Sequence, residues 1–289
     1  MTTPSQWIAG ARPKTLPAAI APVVVGTSFA SQRFSPLNSL LALIVALALQ
    51  IGVNYANDYS DGIRGTDANR VGPLRLVGSG TATPKAVRNA AFICFAIAAI
   101  TGLTLASRTS WLLLLIGAAS IIAAWTYTGG SKPYGYLGFG EISVFIFFGV
   151  IATLGTYYVN ALSLSREVTL ASFAMGALAC SILVLNNLRD REKDEIAGKR
   201  TLAVILGDAG TRDLYRWLMF ASLALAVALS FFSLFYLIAL LALPLVSQSV
   251  RTVARGATGP DLIALLAKTG QIQMIYALLI SIAALIANR

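Results

Sequence analysis

Charge-free apolar stretches broken by short polar segments run along the whole chain. They cover 15–32, 34–57, 89–107, 109–131, 142–165, 168–188, 217–250 and 269–288. A helix needs roughly 17–25 apolar residues to cross a bilayer, so seven of these stretches predict one spanning helix each. The 217–250 stretch would be about 51 Å long as a helix at 1.5 Å per residue, against a hydrocarbon core about 30 Å thick. It is predicted to hold two spans turning near Ser233. The expected fold is all-α, with nine transmembrane helices around a central cavity, in a single domain over residues 1–289. Thr83-Pro84 reads as the N-cap and first position of the third span, and Asp208 or Thr211 is a candidate cap for the seventh. Trp7 through Lys14 suggests a short interfacial helix. Arg12 and Lys14 before an apolar run look superficially like a signal peptide. No cleavage pattern follows and many further apolar runs do, so a retained first span is expected.

Composition agrees with a membrane protein. Hydrophobic residues make up 57% of the chain and charged residues 12%, about half the charged share of soluble domains. Histidine is absent, which excludes His-bound zinc, His-ligated haem and every Ser-His or Cys-His catalytic pair. Any metal must then sit on oxygen ligands. Cys94 and Cys180 both lie in apolar runs, where they read as small core residues rather than a disulfide or zinc site.

The net charge of +10 would suggest nucleic acid in a soluble protein. Here it has a topological cause. With the N-terminus in the cytoplasm, 18 of the 22 Lys and Arg residues fall in cytoplasmic segments, leaving only Arg33, Arg108, Arg166 and Arg289 outside. Of the acidic residues, only Glu167 falls outside. The expectation is a multi-pass protein of the cell (cytoplasmic) membrane, in contact with lipid, with its ionisable chemistry at the cytoplasmic mouth and no nucleic-acid partner.

Two acidic constellations mark that mouth. The second span ends Asn54-Tyr-Ala-Asn57-Asp58-Tyr-Ser-Asp61, and the sixth ends Asn186-Asn187-Leu-Arg189-Asp190-Arg-Glu-Lys-Asp194. On a helix Asn54, Asp58 and Asp61 share a face, as do Asn186, Asp190 and Asp194. Four spans separate the copies, so both open on the same side, as in an internal repeat. Carboxylates one turn apart form a hard oxygen site. Mg²⁺ favours such a site, with waters and substrate phosphate oxygens completing its shell. Two such sites can clamp a diphosphate, while nearby Arg and Lys contact its oxygens. Acidic residues at helix ends are ordinarily solvated or paired, and Asp190 among Arg189, Arg191 and Lys193 fits that description. A matched pair of motifs argues for function, because carboxylates near hydrocarbon are costly without one.

Other candidates are less specific. The Gly-rich 129–141 segment, with Lys132, could approach a ligand closely or be an ordinary turn with interfacial tyrosines. Gly72, Pro73 and Gly78 bend a loop from which Arg75 could reach an anion. Arg12 and Lys14 could touch an acidic substrate or serve only as topological anchors. Trp125, Tyr127, Phe145, Phe147 and Phe148 could line a cavity and stabilise a carbocation, or simply pack.

The paired motifs resemble those of the UbiA superfamily of intramembrane aromatic prenyltransferases, over nearly the whole chain. Residues 57–67, 70–75, 126–141 and 198–204 are similar to the branch acting on 1,4-dihydroxy-2-naphthoate in menaquinone synthesis. The resemblance implies a polyprenyl diphosphate donor and a naphthoate acceptor that loses carbon dioxide. It implies Mg²⁺ on Asp58, Asp61, Asp190 and Asp194, with Asn54 and Asn186 orienting ligands and Arg70, Lys132 and Lys199 contacting diphosphate. The first motif is spaced Asp-x-x-Asp with a later Asp67, which either binds metal or shapes the loop. Two alternatives remain open: another aromatic acceptor such as 4-hydroxybenzoate, and a cation-coupled transporter. Transporters tend to place their acids near mid-membrane at broken helices, whereas here every acid but Glu167 falls at one end.

Overall fold

The computed structural model describes residues 2–65 and 74–288, and all the regular structure among them is helical. Ten helices follow in order: α1 (Pro4–Ala11), α2 (Pro17–Phe29), α3 (Pro36–Ile63), α4 (Pro84–Arg108), α5 (Leu113–Thr126), α6 (Gly140–Ala161), α7 (Arg166–Ile196), α8 (Leu202–Leu229), α9 (Leu234–Ala254) and α10 (Gly259–Ala287). The middle of α6, Phe145–Ile151, winds as a π-helix, and the first half of α9 as a 3₁₀-helix.

Six of these helices, α3, α4, α6, α7, α9 and α10, are long and apolar enough to cross a membrane by length and composition. The apolar α2 and α5 are shorter, and α8 carries Asp208, Arg212, Asp213 and Arg216 toward its N-terminal end. Each of these helices overlaps a stretch that the sequence marked, and the break after Leu229 reaches an extended Ser233, close to the expected turn. Thr83 accepts from the Ala86 N–H as the cap of α4. The expected cap of the seventh span is corrected. The helix begins earlier, at Leu202, and bends at Gly207, where φ is 68°. A side chain at that φ would be strained, and glycine adopts it freely. Asp208 instead bonds Arg212, and Thr211 donates to the Gly207 carbonyl.

The most buried spanning helix is α7, which packs against α6, α8 and α10. Its backbone touches that of α6 where Gly149 meets Gly176. A Cβ on Gly149 would lie 2.3 Å from the Gly176 Cα, so only glycine permits this approach. Small residues at helix crossings give such packing in lipid, where the hydrophobic effect does not drive association. At 31 residues α7 is about 46 Å long, and α3 at 28 residues about 42 Å. Both therefore continue past the apolar core, and their C-terminal turns carry the two acidic motifs.

Candidate active site

A cavity of about 950 Å³ runs up the middle of the bundle. Its walls are mainly apolar, with Leu103, Leu113, Phe147, Phe148 and Ile151 among them. One end is polar, and there the C-terminal turns of α3 and α7 supply Asn54, Asn57, Asp61, Asn186, Asn187, Asp190 and Asp194. The two motifs, far apart in sequence, thus face one space, as the repeat implied.

The motifs meet in a different register from the one read in the sequence. Asn57 and Asp61 line the cavity, four residues apart, as Asn186 and Asp190 do on α7. Asp58 points elsewhere: it is fully buried, and its two oxygens accept the backbone N–H groups of Leu76 at 2.7 Å and Val77 at 3.0 Å. A carboxylate taking two backbone N–H groups pins the 74–80 segment to α3, and that segment carries Arg75 to the cavity wall. Asn54 also ties structure together, donating to the Ala11 carbonyl at 2.9 Å and to Thr15 Oγ1 at 3.2 Å. It thereby fastens α1 and the Pro13–Thr15 turn to α3. Arg12, between them, sits at φ 55°, a left-handed conformation that costs a non-glycine residue about 1–2 kcal/mol. It lines the cavity with Lys14, and its buried Nη2 has no hydrogen-bond partner among the described residues.

Cations face the carboxylates. Lys199 Nζ lies 3.0 Å from Asp61 Oδ1, both side chains buried. The Arg189 guanidinium grips Asp190 with two bonds, at 2.8 and 2.7 Å, and reaches Asn186 Oδ1 at 2.7 Å. The Tyr136 hydroxyl donates to Asp61, and Lys199 Nζ sits 4.7 Å from the centre of its ring. Burial, then the Asp61 charge, push the Tyr136 phenol well above its ordinary range, so it stays a donor. Arg64 braces the same loop through the carbonyls of Thr128 and Gly130.

Several sequence candidates take other places. Lys132 is exposed and does not line the cavity. Asp67, Arg70, Gly72 and Pro73 lie outside the described residues. Of the aromatics, Tyr127, Phe147 and Phe148 line the cavity. Trp125 stacks on Phe92 and Tyr59, and Phe145 packs on Phe173. Cys180 is buried and Cys94 half-buried. Sequence reading passed over Asn57 and Tyr136, and named Arg189 only as an ion-pair partner of Asp190, which it is. Asn57 had a signal in the four-residue spacing, whereas Tyr136 reaches Asp61 only through the fold.

Among the described residues no three acidic side chains gather closely enough to enclose a cation alone. The cavity still offers only oxygen donors from its acidic residues, which suits a hard cation completed by water and phosphate oxygens. The fold and cavity together define a polytopic membrane protein that can hold an amphipathic ligand, with its anionic head among carboxylates and cations and its tail in an apolar chamber.

Comparison with known proteins agrees. The UbiA prenyltransferase family profile matches residues 19–266, and this chain belongs to that family. The 1,4-dihydroxy-2-naphthoate octaprenyltransferase of Mycobacterium tuberculosis is 50% identical over 283 residues, covering 97% of each chain. The protein of the same name from Escherichia coli is 41% identical, over 86% of this chain and 85% of its own. Among solved structures, a UbiA homologue from Aeropyrum pernix superposes with a TM-score of 0.74 at 15% identity, covering 94% of this chain and 98% of that one. A homologue from Archaeoglobus fulgidus, bound to GPP and Mg²⁺, gives 0.69 at 15% identity, over 97% and 99%.

Proposed function

We propose that this protein transfers a polyprenyl group from polyprenyl diphosphate to 1,4-dihydroxy-2-naphthoate, releasing diphosphate and carbon dioxide. The product is the quinol form of demethylmenaquinone. The observation that carries the reading is the divided cavity, an apolar chamber ending at Asp61, Asp190, Asp194, Arg189 and Lys199. The naphthoate prenyltransferases at 41% and 50% identity support the choice of acceptor.

Asp61, Asp190 and Asp194 would hold Mg²⁺, with Asp67 a further candidate by sequence. Bound there with the diphosphate, Mg²⁺ would neutralise the charge that builds on the leaving group. Asp58 anchors the 74–80 loop instead of the metal. Lys199 and Arg189 stand beside the carboxylates as phosphate contacts, with Arg12, Lys14 and Arg75 on the surrounding wall. Asn54 holds the N-terminal segment in place, and Asn186 with Arg189 orients the α7 side. As the C1–O bond breaks, the allylic carbon faces the rings of Tyr127, Phe147 and Phe148, which stabilise positive charge through their faces. The apolar walls exclude water that would capture it. The ring carbon forms the new C–C bond, and the electron pair of its bond to the departing carboxylate returns to the ring. Diphosphate and carbon dioxide account for all the charge, so no base is required for a ring proton.

The same reading places nine helices in the cell membrane as one transmembrane domain, with the N-terminus and the polar end of the cavity cytoplasmic. The 18-to-4 division of basic residues supports this orientation. The test of function is a competition assay with purified protein, Mg²⁺ and one polyprenyl diphosphate, offered 1,4-dihydroxy-2-naphthoate and 4-hydroxybenzoate together. The expected product is the prenylated naphthoquinol with an equivalent of carbon dioxide. A product that keeps its carboxylate, or a preference for 4-hydroxybenzoate, rejects the naphthoate assignment.

A further inference from the structure

Behind the polar end of the cavity lies an acidic residue that belongs to neither aspartate motif. Glu141 is in the first turn of α6 and is buried. Its Oε1 accepts from Asn187 Nδ2 at 2.9 Å. Its backbone carbonyl accepts from Cys180 Sγ at 3.0 Å, which joins this end of α6 to α7. Its Oε2 is buried and meets no donor among the described residues. A buried carboxyl with an unmet oxygen destabilises the fold, so packing alone does not account for it.

What Glu141 does is orient Asn187. A side-chain amide has a donor end and an acceptor end, and a carboxylate can only accept, so Nδ2 must face Glu141. The carbonyl Oδ1 is then the end offered to the cavity that Asn187 lines. Asn187 lies three residues before Asp190 on α7, about 4.5 Å deeper along the axis. That depth suits the ring that must meet the allylic carbon just beyond the diphosphate. Tyr127 lines the same wall, its hydroxyl so near α6 that a Cβ on Gly140 would come within 3.0 Å of it.

We propose that Asn187 binds the aromatic acceptor, its Oδ1 accepting a hydrogen bond from a ring hydroxyl, and that Glu141 is the positioning residue that fixes the amide in that sense. The proposal rests on the prenyl-transfer reading. A hydroxyl that donates to a carbonyl releases electron density into the ring, at the ortho and para carbons that an electrophile attacks. A site built around such a bond also rejects an acceptor without the O–H, because its own polar atom is left unpaired.

The test uses the full-length protein with one polyprenyl diphosphate and three acceptors: 1,4-dihydroxy-2-naphthoate and its two mono-O-methyl ethers. In the wild type, one ether should show a KM about ten-fold above the parent, the scale of one hydrogen bond. Asn187→Ala should raise the parent's KM by about the same factor and leave that ether's KM and the prenyl diphosphate KM unchanged, the signature of a lost binding contact. Glu141→Leu should move the acceptor KM in the same direction. Glu141→Gln, whose amide can donate as well as accept and so no longer fixes the sense of Asn187, should lower the discrimination between parent and ether, which a role in packing alone would not. Equal use of all three acceptors by the wild type overturns the proposal. So does discrimination that survives Asn187→Ala, or that vanishes only because the ether's KM falls. A wild type that prenylates none of the three acceptors overturns the prenyl-transfer reading and this proposal with it.

Discussion

Asp58 and Asp61 are three residues apart on one helix, yet the structure gives them different work, and Asp→Asn substitution separates them. Asp58 accepts two backbone N–H groups, from Leu76 and Val77. Asparagine keeps one acceptor oxygen and sets an NH₂ against the second N–H. The loss is one hydrogen bond to a charged group, about 1.5–3 kcal/mol, felt as loosening of the 74–80 segment. Asp58→Asn should therefore lower the unfolding temperature by a few degrees and reduce turnover moderately through Arg75. The Mg²⁺ concentration for half-maximal rate should stay where it is. Asp61→Asn removes a cavity carboxylate paired with Lys199 and Tyr136. It should cut turnover by two orders of magnitude or more, about 2.7 kcal/mol in the barrier, and leave a Mg²⁺ requirement shifted upward. The assay is a Mg²⁺ titration of turnover on both variants, beside thermal unfolding in detergent. If Asp58→Asn shifts the Mg²⁺ dependence as far as Asp61→Asn does, with no change in unfolding temperature, the loop-anchor reasoning fails.

Lys199→Gln should raise the KM for prenyl diphosphate about ten- to a hundred-fold, the scale of a hydrogen bond to a charged group. Lys132→Ala, exposed and off the cavity, should leave it within two-fold; comparable effects at both sites would refute the placement. Tyr136→Phe removes the hydroxyl that donates to Asp61 and should lower kcat/KM about three- to ten-fold with the unfolding temperature kept; steady-state kinetics against the wild type decide it. For topology, after removal of Cys94 and Cys180, a cysteine at Ser107 should react with an impermeant thiol reagent in intact cells and one at Ser79 should not. The opposite pattern would invert the membrane orientation.

Much of this protein is legible along the chain, for a physical reason. A helix in lipid must satisfy its own backbone polar groups and present apolar side chains all around, so the apolar stretches alone locate the long apolar helices and the break near Ser233. Absence of histidine and the repeated Asn-x-x-x-Asp spacing narrow the chemistry to oxygen ligands at two helix ends, and charge asymmetry alone carries the orientation. Tertiary structure decided what each polar residue meets. Periodicity puts Asp58 within one turn of Asp61, but only the return of the 74–80 segment shows that Leu76 and Val77 occupy its oxygens. Tyr136, 75 positions from Asp61, reaches it through a loop closure that no local pattern encodes. The bond between Glu141 and Asn187 depends on α6 and α7 touching backbone to backbone at Gly149 and Gly176. Lys132 and Lys199 look alike as loop lysines, and only packing exposes one and buries the other against Asp61. Spacing along one helix fixes which residues share a face. Whether that face meets substrate, loop backbone or another helix is set by long-range contacts, and those belong to the folded chain.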